Sequence, residues 1–377
     1  METTFWISAA WVIYVYAGYP LLASLLAALV GRPVRKADIA PRVTVLTAAY
    51  NEAACIGRTV QNKLDQDYPP GLLDVIVVSD ESTDGTDEIV AALGPRVQLI
   101  RQSPRAGKTA ALNLAIPRAA GEIIVFSDAN SMYAPDSIRR LVSNFADPAV
   151  GYVTGKMLYV NEDGSLVGDG CSAYMKYENW LRASESRLAA VIGVDGGVDA
   201  VRRSAYRPMR ADQQPDFVLP LNVAAQGYRV VYEPEARLHE SALSEHDAEY
   251  RMRVRVTLRA LWALWDMRRL MNPLRHGLLA FQIISHKLLR YLAFLPLLAA
   301  FATSWLLAAQ DRLMLLAALV QTGVYVLAGI GWASHGRSRS FLVGFPYYFV
   351  LLNIACAQAV IKFIGGHRQA IWAPRTG

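Results

Sequence analysis

Cysteine is scarce in this chain of 377 residues: there are three, Cys55, Cys171 and Cys356. They are far apart and odd in number, and no pair has metal-ligand spacing, which argues against a disulfide framework or a cysteine-built metal site. Each reads as small apolar filler. Charged residues are also few, at 19%, and they are missing altogether from residues 5–30, 291–310, 313–334 and 341–361. A bilayer core takes roughly 20 helical residues, so each stretch is a candidate span and a membrane protein is expected, with four very apolar core helices as the competing reading. Internal repeats and low-complexity linkers are absent, and no paired halves of the kind that build transporters can be found.

The chain is 53% hydrophobic with a formal net charge of +6. Its N-terminus carries Glu2 in place of a basic leader, with no small-residue cleavage site, and reads as an uncleaved anchor. Arg32, Arg35 and Lys36 follow the first span, while Arg268, Arg269, Arg275, Lys287 and Arg290 precede the second. By the positive-inside rule the large segment between them is cytoplasmic. The stretch His335 to Arg339 fits inside as well. Four spans would leave Lys362, His367, Arg368 and Arg375 outside, against the rule; alternatively residues 341–361 bend back at Gly344-Phe345-Pro346 without crossing. Residues 276–289 are apolar but interrupted by His276, His286 and Lys287, which suits a helix in the membrane interface. The expected organisation is an anchor (1–30), a cytoplasmic domain (31–275), an interfacial helix (276–289), about three membrane helices (290–364) and a tail (365–377).

Strand and helix signals alternate within the cytoplasmic segment. Val43 to Leu46, Val75 to Val78, Val97 to Ile100 and Ile123 to Phe126 are short apolar runs typical of buried strands. Ile56–Leu64, Asp87–Leu93 and Lys108–Ala115 read as helices between them. Val150 to Thr154 and Arg229 to Tyr232 read as later strands. This alternation predicts an α/β fold, a Rossmann-like, mostly parallel sheet with helices on both faces.

Ligands gather at the carboxyl ends of strands in such sheets, and four motifs fall at strand ends or helix starts. They are Ala49-Tyr50-Asn51-Glu52, Ser79-Asp80-Glu81-Ser82-Thr83-Asp84-Gly85-Thr86, Ala106-Gly107-Lys108-Thr109 running on to Asn113, and Ser127-Asp128-Ala129-Asn130. A carboxylate at Asp128 suits a hard divalent cation, and the cation suits a diphosphate. Gly107-Lys108-Thr109 is not a nucleotide-hydrolase phosphate loop, because the first glycine of that motif would fall on Gln102.

Together these motifs resemble glycosyltransferase family 2, inverting transferases with an A-type nucleotide-diphosphate-sugar fold. The match runs over roughly residues 41–260, and the flanking spans resemble its membrane-embedded branch of hyaluronan, chitin-oligosaccharide and poly-N-acetylglucosamine synthases. The resemblance implies that Tyr50, Asn51, Glu52, Asp80, Lys108, Asn113, Asp128 and Arg255 contact the nucleotide-sugar, Asp80 through the base. It implies Mg or Mn at Asp128 and Asn130, where Asn replaces the usual second carboxylate. Gln214-Pro215-Asp216 stands where the family carries an acidic pair, making Asp216 the expected general base; inversion needs no second, nucleophilic carboxylate. Asp195, Gly196 and Gly197 match the acceptor side, and a tight turn is the competing reading.

Arg251, Arg255 and Arg259 share one helix face. In processive relatives this region carries Gln-x-x-Arg-Trp; here the arginine is Arg255, and the Gln and Trp are absent. That face suits either a diphosphate or anionic headgroups. The expected function is sugar transfer from a UDP-sugar to a carbohydrate or lipid-linked acceptor, in exopolysaccharide or surface-glycan synthesis at a bacterial inner membrane. The alternatives are single transfer to polyprenyl phosphate and an inactive scaffold that kept the fold. The bilayer is the expected partner, nucleic acid is not, and an oligomer is left open.

Overall fold

The computed structural model describes residues 1–160, 169–241, 246–334 and 340–368. The basic stretch 335–339 and the tail beyond Arg368, on which part of the topology reading rests, lie outside them. The chain divides into two compact units.

Residues 30–160 and 182–241 make the first. Its eight strands are β1 Val43–Ala49, β2 Leu73–Asp80, β3 Val97–Gln102, β4 Ile123–Asp128, β5 Met132–Tyr133, β6 Val150–Val160, β7 Asp199–Arg202 and β8 Arg229–Ser241. They form one sheet in the order β3-β2-β1-β4-β7-β6-β8-β5. The pairs β1–β2, β1–β4, β2–β3 and β6–β8 are parallel, whereas β7 runs antiparallel to β4 and β6, and β5 antiparallel to β8. The sheet is therefore mixed, with the expected parallel arrangement confined to its first four strands and the β6–β8 pair. Val43, Val45, Leu46, Val75 to Val78 and Ile123 to Val125 are buried to 1% or less. Neighbours along a strand point to opposite faces, so these unbroken runs require cover on both. Ile56, Val60 and Leu64 of helix Ile56–Leu64, with Ile138, Leu141 and Val142 of helix Ser137–Ser143, pack into the same core.

Parallel register positions the chemistry. Ala49 lies opposite Ser79, and Ala48 opposite Asp128. The chain therefore leaves β1, β2 and β4 at one edge, carrying Tyr50-Asn51-Glu52, Asp80 and Asp128-Ala129-Asn130 with it.

The second unit holds residues 1–29, 169–181 and 246–368. Among the described residues, three helices are long and apolar enough to cross a membrane: Glu2–Val30, Arg312–Ala333 and Phe341–Ile364. Pro273–Tyr291 and Phe294–Leu307 form a pair bent by 54° that passes the same test jointly. The helix is not interrupted at Gly344-Phe345-Pro346. Phe341–Ile364 is one helix with Pro346 inside it; a proline there removes one backbone bond, and the helix absorbs the loss. The break falls instead between Tyr291 and Phe294.

Candidate active site

The first two motifs are stitched together by backbone donors. Asn51 takes a left-handed backbone, φ 54°, which asparagine tolerates better than most residues. Its N–H donates to Ser82 Oγ, and its own Oδ1 accepts from the Thr83 N–H. The Glu52 N–H donates to Thr86 Oγ1, and the Ala53 N–H to Asp84 Oδ2. Burial pushes the Asp84 carboxyl up, but hydrogen bonds from Thr86 and from backbone N–H groups outweigh it and hold it low. Glu52 moves the other way, raised by burial and by the nearby Asp128 and Asp84 carboxylates.

Asp80 is 4% exposed. It accepts from Gln102 Nε2, from the backbone N–H of Ala106 at 2.9 Å and from that of Gly107 at 3.0 Å. Arg105 stands 3.5 Å away and lies 3.5 Å over the Tyr50 ring. Asp80 thus anchors the loop that delivers Lys108. Asn113 is engaged inside the fold: its Nδ2 donates to the Met209 carbonyl, and its Oδ1 accepts from Tyr206 and from the Met209 N–H.

Lys108 begins helix Lys108–Ala115. Its Nζ lies 2.7 Å from Asp128 Oδ1 and 3.5 Å from Asp216 Oδ1. Burial works against the ammonium, but the two carboxylates outweigh it and raise its pKa. Asp216 sits in the first turn of helix Pro215–Ala225, behind Pro215. Proline is pre-shaped for that first position, and the helix start favours an anion. Thr109 ties the two helices by donating to the Gln213 carbonyl at 2.7 Å.

The glycines fit around this pair. Gly196 has φ +86°, and a Cβ there would fall 2.3 Å from the Asp216 carboxyl carbon. A Cβ on Gly197 would stand 2.7 Å from Leu238 and 3.6 Å from Asp128 Oδ2. The sequence places Asp195 beside them, and the structure gives it an internal partner: Arg182 grips both its oxygens at 2.5 Å. Asp128, Lys108, Asp216, Gly196 and Gly197 therefore converge. Asp195 braces the glycine loop from behind. Arg255 belongs to the other unit, on helix His246–Asp266.

Among the buried ionisable residues that escaped the sequence reading, two stand next to this site. Asp199 opens β7, is 1% exposed, and is pushed up to about 7 by burial, with Asp216 and Asp195 adding to the rise and the Thr154 and Tyr152 hydroxyls opposing it. Lys63 is fully buried under the Asp128 loop, donates to the Ser131 carbonyl and to Asn62 Oδ1, and lies 4.1 Å from the Tyr133 ring centre. Burial lowers it to about 7 while Asp128 pulls it back up. Only contact with the folded neighbours reveals either one. In sequence they are an ordinary carboxylate and an ordinary helix lysine.

For a divalent cation this edge offers the Asp128 carboxylate and the exposed Asn130 amide. Ser131 Oγ, buried and without a hydrogen-bond partner among the described residues, lies beside the Gly197 position. No group of three or more His, Cys, Asp or Glu side chains among the described residues is placed to hold a metal ion. This donor set fits Mg2+ or Mn2+, hard ions commonly held by one or two protein oxygens plus substrate phosphates; it does not fit a cation held by protein alone.

Two family models match the chain: "Glycosyl transferase family 2" over residues 44–191 and "Glycosyl transferase family group 2" over residues 123–355. The chain belongs to glycosyl transferase family 2. Within that family it is 32% identical over 170 residues to a beta-monoglucosyldiacylglycerol synthase of Nostoc sp., covering 44% of this chain and 36% of that protein. It is 27% identical over 213 residues to a poly-beta-1,6-N-acetyl-D-glucosamine synthase of Staphylococcus aureus, covering 54% and 51%. The chain thus spans about a third to a half of the length of these curated relatives. A mannosyltransferase of Pyrobaculum calidifontis, solved with GDP-Man and Mn2+, superposes with a TM-score of 0.72 at 26% identity, covering 96% of this chain and 99% of that one. The A-type fold expected of family 2 is the fold observed.

Proposed function

We propose that this protein is a membrane-bound inverting glycosyltransferase that moves a sugar from a nucleotide-diphosphate donor to a carbohydrate or lipid-linked acceptor. The observation that carries this reading is the convergence of Asp128, Lys108 and Asp216 beside Gly196 and Gly197 at the carboxyl edge of the sheet.

In this reading Tyr50 and Asp80 frame the base, and Asn51 and Glu52 line the nucleoside. Lys108 meets the diphosphate, and its ammonium offsets the negative charge that develops as the leaving group departs. Asp128, with Asn130, would hold Mg2+ or Mn2+. When bound, the cation supplies Lewis-acid neutralisation of the leaving diphosphate. Asp216 accepts the proton of the acceptor hydroxyl as its oxygen attacks the anomeric carbon from the face opposite the diphosphate. One displacement inverts the anomeric centre, and one carboxylate suffices. The glycine loop leaves room for the acceptor against the backbone, while Asp195, held by Arg182, keeps that loop in place.

A uridine diphosphate donor is the first choice, and the mannosyltransferase neighbour makes a guanosine diphosphate donor the next to try. The relatives named for a glycolipid and for a polysaccharide keep both acceptor classes in view, with surface-glycan synthesis at a bacterial inner membrane as the setting. The test is to incubate the purified full chain with Mn2+ and a panel of UDP- and GDP-sugars, following nucleoside diphosphate release with and without added glycan or lipid acceptors. Acceptor-dependent release from one donor supports the reading. Release from none, by protein that binds the diphosphates, would leave a scaffold that only kept the fold.

A further inference from the structure

Past Asp128 the chain turns and returns as β5, and helix Ile56–Leu64 holds that turn. Asn62 grips the backbone of Tyr133 with both ends of its amide. Its Oδ1 accepts from the Tyr133 N–H at 2.8 Å, and its Nδ2 donates to the Tyr133 carbonyl at 3.0 Å. Lys63 donates to Asn62 Oδ1 at 3.0 Å and to the Ser131 carbonyl, and its ammonium lies 4.1 Å from the centre of the Tyr133 ring, an attractive placement for a cation. β5 also pairs with β8, Tyr133 standing opposite Leu238. Tyr133 is therefore fixed in backbone and ring, and it is 3% exposed.

This support delivers one hydroxyl to one place. Tyr133 Oη donates to the Phe126 carbonyl at 2.7 Å and to the Gly197 carbonyl at 2.9 Å. A phenol carries a single proton, so the two carbonyls share it. Phe126 lies two residues before Asp128 on β4, and the pairing of β4 with β7 ends there, opposite Asp199. Gly196 and Gly197 precede Asp199 and are off that ladder. Gly197 adjoins Gly196, where an added Cβ would fall 2.3 Å from the Asp216 carboxyl carbon. On its other side the same loop is held through Asp195, gripped by Arg182 at 2.5 Å. The Tyr133 hydroxyl thus ties the strand that carries Asp128 to the loop that lies against Asp216.

We propose that Tyr133 is a positioning residue for sugar transfer, its hydroxyl setting how the glycine loop and Asp216 stand relative to Asp128. This rests on the function proposed above, with the donor on the Asp128 side and the acceptor on the Asp216 side. Without the hydroxyl β4 keeps its place, because it is paired along β1 from Ile123 to Asp128. The glycine loop instead loses the proton that joins it to that strand. Two carbonyl oxygens then face the gap with no donor between them, and buried acceptors left so are costly, so the loop shifts. The displacement is felt on the acceptor side and not on the donor side. A misplacement of about 1 Å costs on the order of 100-fold in rate, and a fraction of that still costs about tenfold.

The test compares Tyr133→Phe with Tyr68→Phe in the full chain. Tyr68 is the control: it too is buried, and its hydroxyl donates to the Pro41 carbonyl, before the start of β1 and away from the edge that carries Asp128. Hydrogen exchange over residues 193–197 is read first, because it needs no activity. Exchange there should quicken in Tyr133→Phe and stay unchanged in Tyr68→Phe; unchanged exchange in Tyr133→Phe overturns the proposal. Transfer is then measured with the donor and acceptor found in the panel above. Turnover per folded molecule should fall about tenfold or more in Tyr133→Phe, with donor KM and the metal midpoint held within about twofold, and should hold in Tyr68→Phe. Placing para-aminophenylalanine at position 133, which offers an N–H to each carbonyl, should restore turnover. Equal losses in the two phenylalanine variants, or donor affinity falling together with turnover, overturn the proposal, because the hydroxyl then serves stability alone. Faster exchange in Tyr133→Phe, with no transfer by the unaltered protein from any donor, upholds the tie and overturns the transfer reading on which its role rests.

Discussion

Gly196→Ala should disable transfer while leaving donor binding and most of the fold intact. Two costs follow from the structure. The backbone at Gly196 has φ +86°, and a residue with a Cβ pays about 1–2 kcal/mol for a left-handed conformation. The new Cβ would also lie 2.3 Å from the Asp216 carboxyl carbon and 2.5 and 2.7 Å from its oxygens. Carbon atoms settle at about 3.5–4.0 Å, so the carboxylate must retreat by roughly 1 Å. A displacement of that size in a positioned group costs on the order of 100-fold in rate. Gly227→Ala is the control. Gly227 has φ +88° with nothing within 4 Å of the added carbon, so it carries the backbone cost without the clash. Both variants should melt lower, Gly196→Ala by at least as much as Gly227→Ala, and only Gly196→Ala should lose turnover per folded molecule. Measuring melting, donor affinity by calorimetry and sugar transfer on the same preparations separates the two costs. Full turnover in folded Gly196→Ala would mean that Asp216 need not sit where the glycine leaves room for it.

Two further outcomes are expected. Asp128→Ala should abolish metal-stimulated activity, whereas Asn130→Asp should be tolerated and shift the metal titration to lower concentration, since a carboxylate attracts a hard cation better than an amide; full activity of Asp128→Ala at low metal would misplace the cation. Asp199 is held at about 7 when folded against an ordinary value of 3.8, so the native state binds its proton more tightly than the unfolded chain does. Its contribution to stability is full below pH 4 and falls as pH rises through 7, at up to about 1.4 kcal/mol per unit. Asp199→Asn should remove that slope, so melting curves of the two proteins should converge or cross between pH 4 and 8; parallel curves would place the titration elsewhere.

Much of the first unit was legible because its strands are buried on both faces and so read as unbroken Val and Ile runs. Helices Ile56–Leu64 and Lys108–Ala115 begin and end where the sequence puts them. The strands foreseen at Val150 to Thr154 and Arg229 to Tyr232 continue to Val160 and Ser241. Lys156 and Glu233-Pro234-Glu235 interrupt the apolar signal there, and the pairing shifts register between Thr154 and Lys156. β7 has four residues framed by Asp199 and Arg202. Nothing in that pattern announces a strand wedged antiparallel between two others. The convergence of Asp128 with Asp216 came from matching motifs, since 88 residues separate them in a sheet whose order local pattern does not reveal. The internal engagement of Asp195 and Asn113 was invisible for the same reason: their partners, Arg182 and residues 206–209, are distant in sequence or carry no motif. Hydropathy found the apolar helices, because a run without charge needs no folded neighbour to be seen.

Asp216→Asn tests the central claim most directly. The amide has nearly the same shape, so folding and donor affinity should hold, but it cannot take the acceptor proton. Because general-base catalysis supplies about 10²–10⁴-fold, transfer should fall at least 100-fold, in turnover more than in affinity. Donor affinity and transfer rate would be measured on one preparation of each protein. Intact binding with transfer reduced by that amount is the result expected; intact binding with transfer at the normal rate would remove Asp216 as the base and contradict the account.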